Sequence, residues 1–281
     1  MKKLILIFFP FLFVSCSVKH KKTFDYIFNK TEAITLEQSK LTLSKDITVL
    51  SFSDSSMVDR NSSIIKVDSG WIVYSKKSES SILSFTSDGQ FSGYIGHRGN
   101  GPGEYTSVYD VVVNQKSKVL EVLSDGGIFC YTFGGDFLDK KEVTYPAFSF
   151  AIDDRQNYWF YVGNNTTYGD AKMICTDENI ANVAYYLHQK SNMLPMVENN
   201  FGRNGEWLTF HESLNHDLYT IENGKLDLSY AMDFPNYKLP KKLHELSGME
   251  VIEELQRSNY ASIINYLETV SYTHLTLPTI R

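Results

Sequence analysis

The chain of 281 residues has few prolines (7), few cysteines (3) and only one long hydrophobic run. Hydrophobic residues make up 42% of the sequence and charged residues 21%, which excludes a wholly disordered protein. The formal net charge of -6 argues against a nucleic-acid-binding protein, because such proteins usually present a basic face to the phosphate backbone. Scarce proline together with an aromatic content of 14% favours β-strands.

Motifs for several kinds of chemistry are missing. The glycine-rich stretch that ends in Gly103-Glu104-Tyr105 lacks the Gly-Lys-Ser/Thr of a phosphate-binding loop, and a strand rather than a helix is predicted to follow it. No nucleotide partner is therefore expected. The histidines show no HExxH or other metal-ligand spacing, and there is no G-x-S-x-G nucleophile elbow. The sequence predicts no catalytic residue, no metal site and no cofactor.

The one hydrophobic run lies at the N-terminus and is typical of an export signal. Lys2 and Lys3 precede an apolar stretch of 11 residues, Leu4 to Val14. A membrane-spanning helix needs about 20 apolar residues, so this run is too short to remain in the bilayer. It ends in Phe13-Val14-Ser15-Cys16, which resembles a bacterial lipobox with Phe in place of the more usual Leu. We predict a signal peptide over residues 1–15 and lipid attachment at Cys16; a secretory signal with a chance cysteine is the alternative.

Residues 16–23 are predicted to be a lipidated tether that holds the protein at a membrane. The segment from Ser17 to Lys22 is basic and carries no acidic run. In lipoproteins of this kind, an acidic run just after the cysteine often accompanies surface display. We therefore predict a cell-envelope protein of the outer membrane, on its periplasmic face rather than the cell surface. A solvated linker without this meaning is the alternative.

The C-terminal end resembles a sequencing artefact. Val270 to Thr279 looks like the translation of a sequencing-library adaptor over ten residues. We predict that residues 270–281 are not natural protein and that the gene was cut near Thr269, so this segment is excluded from fold reasoning. A genuine tail is the alternative.

Between these ends the sequence repeats. Each unit contains a hydrophobic strand, a polar gap, a second strand, a tight turn and a third strand. The predicted first strands are 70–75, 119–124, 158–162 and 206–210. Turns aligned on Gly89, Gly135, Asn179 and Gly224 are separated by 46, 44 and 45 residues. Glycine and asparagine suit such turns because they adopt positive φ at low cost.

A period near 45 residues with about four strands per unit is the signature of a β-propeller. Stacking around an axis buries both apolar faces of each blade, whereas a β-sandwich explains the strands but not the constant turn spacing. We predict an all-β, partial propeller over residues 24–269 with about four complete blades. A short helical insertion is predicted after Pro240 from apolar residues spaced by three, namely Leu243, Leu246, Met249, Ile252 and Leu255.

The two thiols of this domain are predicted to be buried and free. In an oxidising compartment an even pair indicates a disulfide. However, Cys130 and Cys175 lie five and four residues before their aligned turns, so they are predicted to point to opposite blade faces.

The stretch Ile95-Gly96-His97-Arg98-Gly99-Asn100-Gly101-Pro102-Gly103-Glu104-Tyr105 resembles the IG-x-x-G-x-GPGEY signature of the six-bladed, NHL-like β-propeller lipoproteins of Bacteroidetes-type bacteria. Phe234 to Pro240 is similar to a second stretch of that family, with Pro235 where glycine is commoner. The resemblance covers roughly residues 16–269. It implies six blades, so about 60–90 residues of the complete propeller are missing here. The strand around Thr48 to Ser53 is then expected to complete the last blade.

The resemblance implies a fold and a location but no substrate, so two functions stay open. The first is a membrane-tethered, non-catalytic scaffold that binds a carbohydrate, peptide or protein. Arg98, Glu104 and Tyr105 are its candidate ligand contacts, although hydrogen bonds that shape the crossing between blades are the favoured explanation for them. The second is a lyase or hydrolase with its active site in the central funnel, since propellers host such chemistry and fold does not settle function.

Overall fold

The computed structural model describes residues 24–27, 48–51, 58, 62–76, 81–164, 169–188, 199–204, 207–235, 237–246, 248–257 and 260. Four antiparallel sheets of consecutive strands follow one another along this part of the chain, and we call them blades A to D. A further strand, β1 (Phe24–Ile27), joins the last of them.

The blades have these strands. Blade A contains β2 (Ser63–Val67), β3 (Gly70–Tyr74), β4 (Leu83–Thr86) and β5 (Phe91–Tyr94), and the short strands β6 (His97–Arg98) and β7 (Glu104–Tyr105) follow it. Blade B contains β8 (Asp110–Asn114), β9 (Val119–Ser124), β10 (Gly127–Tyr131) and β11 (Phe137–Glu142). Blade C contains β12 (Ser149–Ile152), β13 (Tyr158–Tyr161), β14 (Met173–Thr176) and β15 (Ala184–Tyr186). Blade D contains β16 (Phe201–Asn204), β17 (Trp207–Phe210), β18 (Asp217–Glu222) and β19 (Lys225–Asp233).

Each blade packs on its neighbours through side chains that alternate along its strands. On β10, Phe129 and Tyr131 face blade A, whereas Ile128 and Cys130 face blade C. The interface between blades C and D is likewise built from large apolar groups, among them Trp159. The first strands of blades B, C and D lie side by side. This arrangement confirms the predicted all-β propeller with four blades and a short helix near the C-terminus.

The strands predicted to open each repeat are in fact the second strands of the blades: β3, β9, β13 and β17. Each blade begins one strand earlier, with β2, β8, β12 or β16. These first strands are short, and polar residues occur at their ends, for example Asp110 and Asn114 in β8. Their hydrophobic pattern is therefore weaker than that of the second strands, which have buried residues on both faces.

The outer turns of blades A, B and C share one hydrogen-bonded design. In each turn, a side-chain oxygen at the first position accepts the backbone N–H of the residue four positions later. The donor–acceptor pairs are Gln90 N to Thr86 Oγ1 (3.1 Å), Asp136 N to Thr132 Oγ1 (3.1 Å) and Ala181 N to Asp177 Oδ1 (2.9 Å). Such local side-chain acceptors favour turns over continued strand pairing.

One residue in each turn has the left-handed backbone conformation: Gly89 (φ 88°) in blade A, Gly135 (φ 100°) in blade B and Ile180 (φ 57°) in blade C. The third turn is therefore centred on Ile180, and its alignment on Asn179 was wrong by one position. The repeats align on glycines, and the third turn has none. The hydrogen bonds that Asp177 accepts allow a residue other than glycine at this position.

This shift also corrects the prediction for the two cysteines. Cys130 and Cys175 occupy equivalent positions, two residues before Thr132 and Asp177, and each points toward the following blade. The prediction that they point to opposite blade faces was wrong. Both thiols are buried and free, as predicted, because they lie in different interfaces. Burial raises the pKa of each thiol to about 12, so both stay protonated at neutral pH.

The segment from Thr48 to Ser53 was expected to complete the last blade, but its described residues, 48–51, lie beside blade A. Ser51 forms a parallel bridge with Gln90 at the outer turn of blade A. The strand that extends blade D is β1, which pairs in parallel with β19 from Phe24–Tyr230 to Ile27–Asp233. The N-terminal part of the chain therefore touches both end blades.

The predicted helical insertion is present but has a different buried face. A 3₁₀ helix (Lys241–Glu245) precedes α1 (Gly248–Arg257). Leu243 and Val251 are buried, whereas Met249 and Ile252 are 67% and 41% exposed. Leu246 and Leu255 pack against the cluster that contains Leu243 and Val251. Within α1, a spacing of three residues rotates by about 60° per step, so Met249, Ile252 and Leu255 do not all face this cluster. Among the described residues, no helix is long and apolar enough to cross a membrane.

The outer turn of blade B allows a matched test of the turn design. A Cβ at Gly135 would lie 2.5 Å from the carbonyl oxygen of Tyr94, whereas at Gly134 the nearest atom is 3.6 Å away. We expect Gly135→Ala to lower the free energy of unfolding by about 2 kcal/mol or more, since positive φ alone costs roughly 1–2 kcal/mol. Gly134→Ala should change it by less than about 1 kcal/mol. Urea titration of both variants measures the difference, and equal effects would contradict the assigned turn.

Candidate functional site

The signature stretch forms most of the connection between blades A and B, residues 95–109, which we call the crossing loop. Its two short strands, β6 and β7, pair in parallel. Tyr105 anchors the loop: its side chain is 1% exposed, and its hydroxyl donates to the carbonyl of Ile95 and accepts the N–H of Ile82, both at 3.3 Å. Burial raises the pKa of Tyr105, so the hydroxyl remains a donor.

Glu104 holds the glycine-rich part of the loop. Its Oε2 accepts the N–H of Gly101 at 2.8 Å. A Cβ at Gly99 would lie 1.9 Å from the same oxygen, so the carboxylate occupies the space that a larger residue would need. Gly96 has φ 62°, and a Cβ there would lie 2.7 Å from the Tyr131 ring. These glycines allow close packing of the loop.

Arg98 is exposed, in contrast to Tyr105. Its Nε donates to the carbonyl oxygen of Thr106 at 3.2 Å. This contact holds one N–H of the guanidinium, and the residue as a whole is exposed. Of the three predicted ligand residues, Arg98 is therefore the one that the structure presents to solvent, and the binding role of all three stays a prediction.

Asp125, which precedes β10, lies beside the crossing loop. Its Oδ2 accepts hydrogen bonds from the hydroxyls of Thr106 (2.7 Å) and Ser107 (3.3 Å), and its Oδ1 accepts one from Tyr109. The bonds from Tyr109 and Thr106 hold the pKa of Asp125 below its usual value, so the carboxylate is ionised at neutral pH. Asp125 is exposed and the Tyr109 side chain is 39% exposed.

Arg98, Thr106, Ser107, Tyr109 and Asp125 together form an exposed polar group that we call the rim cluster. Arg98 contacts the backbone carbonyl of Thr106, and Asp125 contacts the hydroxyl of the same residue. The arrangement presents hydrogen-bond donors and acceptors in fixed positions. Sequence reasoning missed Asp125 and Tyr109 because only the packing of blade B brings residues 106–109 and 125 together.

A second set of polar groups lies buried between the blades. Lys76 pairs with Asp110 at 3.0 Å, and Asp110 also accepts the N–H of Phe150 at 3.1 Å. These contacts connect blades A, B and C. Asp110 is 6% exposed, so its charge is compensated inside the protein rather than by water.

The interface between blades C and D contains a similar pair. Lys172 and Glu212 are 2.8 Å apart, and the Tyr161 hydroxyl donates to the other oxygen of Glu212 at 2.9 Å. Both pairs are close enough for proton exchange, but each charge is neutralised by a partner from the neighbouring blade. Their arrangement favours a role in joining blades. In the part of the chain that the structure describes, no three histidine, cysteine or acidic residues lie close enough to hold a metal ion.

The blades and the crossing loop define a β-propeller protein. The chain belongs to the family described as Domain of unknown function (DUF4934), which matches residues 50–279. That match includes the crossing loop and extends into the predicted adaptor-derived tail, whose origin stays a prediction. A search of curated proteins finds no match.

Solved structures from Bacteroides are similar to this chain. A protein of Bacteroides fragilis, described as exported, superimposes with a TM-score of 0.72 at 15% identity, over 88% of this chain and 72% of that chain. A DUF4221 member from Bacteroides vulgatus gives a TM-score of 0.45 at 13% identity, over 72% and 67% of the two chains. A Bacteroides caccae protein of unknown function gives 0.37 at 11% identity, over 63% and 74%. The first of these likenesses supports the fold alone.

The packing of Glu104 against Gly99 can be tested by a double-mutant cycle. Gly99→Ala should displace the carboxylate and break its bond to Gly101, which costs about 1 kcal/mol in the free energy of unfolding. Glu104→Ala removes the clash, so Gly99→Ala should have little effect in that background. Urea titration of the four proteins gives the coupling energy, and additive effects would contradict the assigned packing.

Proposed function

We propose that the protein is a lipid-anchored β-propeller of the bacterial cell envelope that binds a ligand or a partner without catalysing a reaction. The rim cluster is the observation that carries the binding role. Arg98 lies on a loop fixed by the buried Tyr105, and Asp125 is held by hydrogen bonds from Thr106 and Ser107, so little conformational entropy is lost when a ligand binds. Arg98 and Asp125 are the proposed contacts, and Glu104 and Tyr105 hold the loop in shape.

The proposed location rests on the N-terminal sequence. Residues 1–15 have the features of a signal peptide, and Cys16 lies where a lipoprotein is acylated. The similar Bacteroides fragilis protein is described as exported, which supports the same route for this chain. The basic tether favours the periplasmic face of the outer membrane. A six-bladed, NHL-like ring remains part of this proposal.

The rim cluster favours a ligand with hydrogen-bond donors and acceptors close together. Arg98 can only donate and the ionised Asp125 can only accept, while the hydroxyls beside them can do both. The half-exposed ring of Tyr109 adds an apolar surface next to these groups. Carbohydrates and peptides both meet this description, so the binding test includes both.

The binding role predicts selective loss of affinity in rim-cluster variants. The full-length protein is applied to carbohydrate and peptide arrays, and each hit is measured by titration calorimetry. Arg98→Ala and Asp125→Asn should each weaken binding by about tenfold or more, because a charged hydrogen-bonding partner contributes roughly 1.5–3 kcal/mol. Lys118→Ala, an exposed lysine at a turn of blade B, is the matched control and should bind normally. Equal binding by all variants, or turnover of a hit, would contradict the proposal.

The anchor predicts that Cys16 alone carries lipid. Cells that express the protein are fed a clickable fatty acid, and the envelope fraction is analysed for labelled protein. Cys16→Ser should abolish labelling and release the protein from the membrane, whereas Ser17→Ala should retain both. Labelling of the Cys16→Ser protein would show that the anchor lies elsewhere.

A further inference from the structure

We infer that the propeller is held with the outer edge of blade D next to the lipid bilayer and with the crossing loop directed away from it. The inference rests on the proposed lipid anchor at Cys16. It is carried by the pairing of β1 with β19, which is the first described contact of the chain after Cys16 and joins it to blade D.

The tether is short compared with the folded domain. Cys16 and Phe24 are eight positions apart, so a fully extended tether spans at most about 29 Å. A folded chain of this size has a radius of gyration of roughly 19 Å and hence a diameter of about 50 Å. The edge that carries β1 therefore cannot lie on the far side of the protein from the membrane.

The pairing determines which edge this is. β1 lies alongside the outermost strand of blade D, with Phe24 opposite Tyr230 and Ile27 opposite Asp233. Blades B and C stand between blade D and blade A, and the described core clusters join only A with B, B with C and C with D. The crossing loop lies between blades A and B, which places it at a distance from the anchored edge.

Charge does not determine the orientation. β19, the strand that β1 joins, carries the exposed Lys225 but also the exposed acids Asp227 and Asp233. A surface of mixed charge has no strong net attraction to an anionic bilayer. The three lysines of the tether can each contribute about 1 kcal/mol near such a surface, which draws the tether and not the blades toward the lipid. The length of the tether is therefore the controlling quantity.

The orientation has a functional consequence for the rim cluster. A site on the membrane-facing side would be screened by the bilayer and reached only by lipids or membrane-bound partners. The inferred orientation presents Arg98 and Asp125 to the aqueous compartment instead. Soluble ligands and extended polymers can then approach the site without contact with the membrane.

Energy transfer to the bilayer tests the orientation in the lipidated, full-length protein. Single cysteines are introduced by Lys225→Cys in the outer turn of blade D and by Ser87→Cys in the outer turn of blade A, both of which are exposed positions. Each is labelled with a fluorophore, and the proteins are incorporated into phosphatidylethanolamine–phosphatidylglycerol vesicles with a headgroup-linked acceptor. The protein without an introduced cysteine measures background labelling of the buried Cys130 and Cys175.

We expect a several-fold larger transfer efficiency from position 225 than from position 87. Equal transfer from the two positions, or larger transfer from position 87, would overturn the orientation. The anchor would still be supported in that case, because the protein is bound to the vesicles. Protein that does not associate with vesicles would overturn the anchor and the orientation with it. Cys16→Ser should abolish transfer from both positions.

A longer tether supplies an independent variant that leaves the blades unchanged. Insertion of 20 Gly/Ser residues between Lys22 and Thr23 raises the greatest possible span from about 29 Å to about 100 Å. The difference in transfer between positions 225 and 87 should then fall strongly, with membrane binding retained. An unchanged difference would show that blade contacts with lipid, and not the tether, set the orientation.

Discussion

Packing of one blade face against the next is the interaction on which the rest of this structure depends. A single four-stranded sheet here has large apolar residues on both faces, as the alternation of Phe129 and Tyr131 with Ile128 and Cys130 illustrates. Neither face can be left in water, so the sheets form a series in which each blade covers its neighbours. The crossing loop, the buried ion pairs and the rim cluster all lie on or between blades that this packing has already positioned.

The buried ion pairs add specificity to that packing. Apolar faces stack in more than one register, whereas Lys172 must meet Glu212 and Lys76 must meet Asp110, because an unpaired buried charge is strongly destabilising. Each pair joins neighbouring blades. The pairs therefore define how one blade is placed on the next, although the apolar contacts supply most of the attraction.

The period of the repeats and the architecture could be predicted from the sequence, because aromatic strands and turn glycines recur at a nearly constant spacing. The predicted details were wrong where a hydrogen bond within a turn, or a contact between distant residues, took the place of the glycine or motif signal. Ile180 takes the position of a turn glycine because Asp177 supplies the hydrogen bonds, and this single offset reversed the predicted direction of Cys175. The residues of the candidate site could likewise be predicted only in part. Arg98, Glu104 and Tyr105 could be selected from a motif, but Asp125 and Tyr109 belong to it only through the packing of blade B.

The pairing of β1 with β19 also bears on the order of folding. Phe24 leaves the ribosome early, yet its partner Tyr230 is synthesised more than 200 residues later. Contacts between residues so distant in sequence form late, because a large loop must close before they contribute. Until blade D is complete, β1 has no edge to join, and its unpaired backbone is open to chaperones and proteases. Pairing of β1 is thus coupled to completion of blade D, which lies near the other end of the described chain.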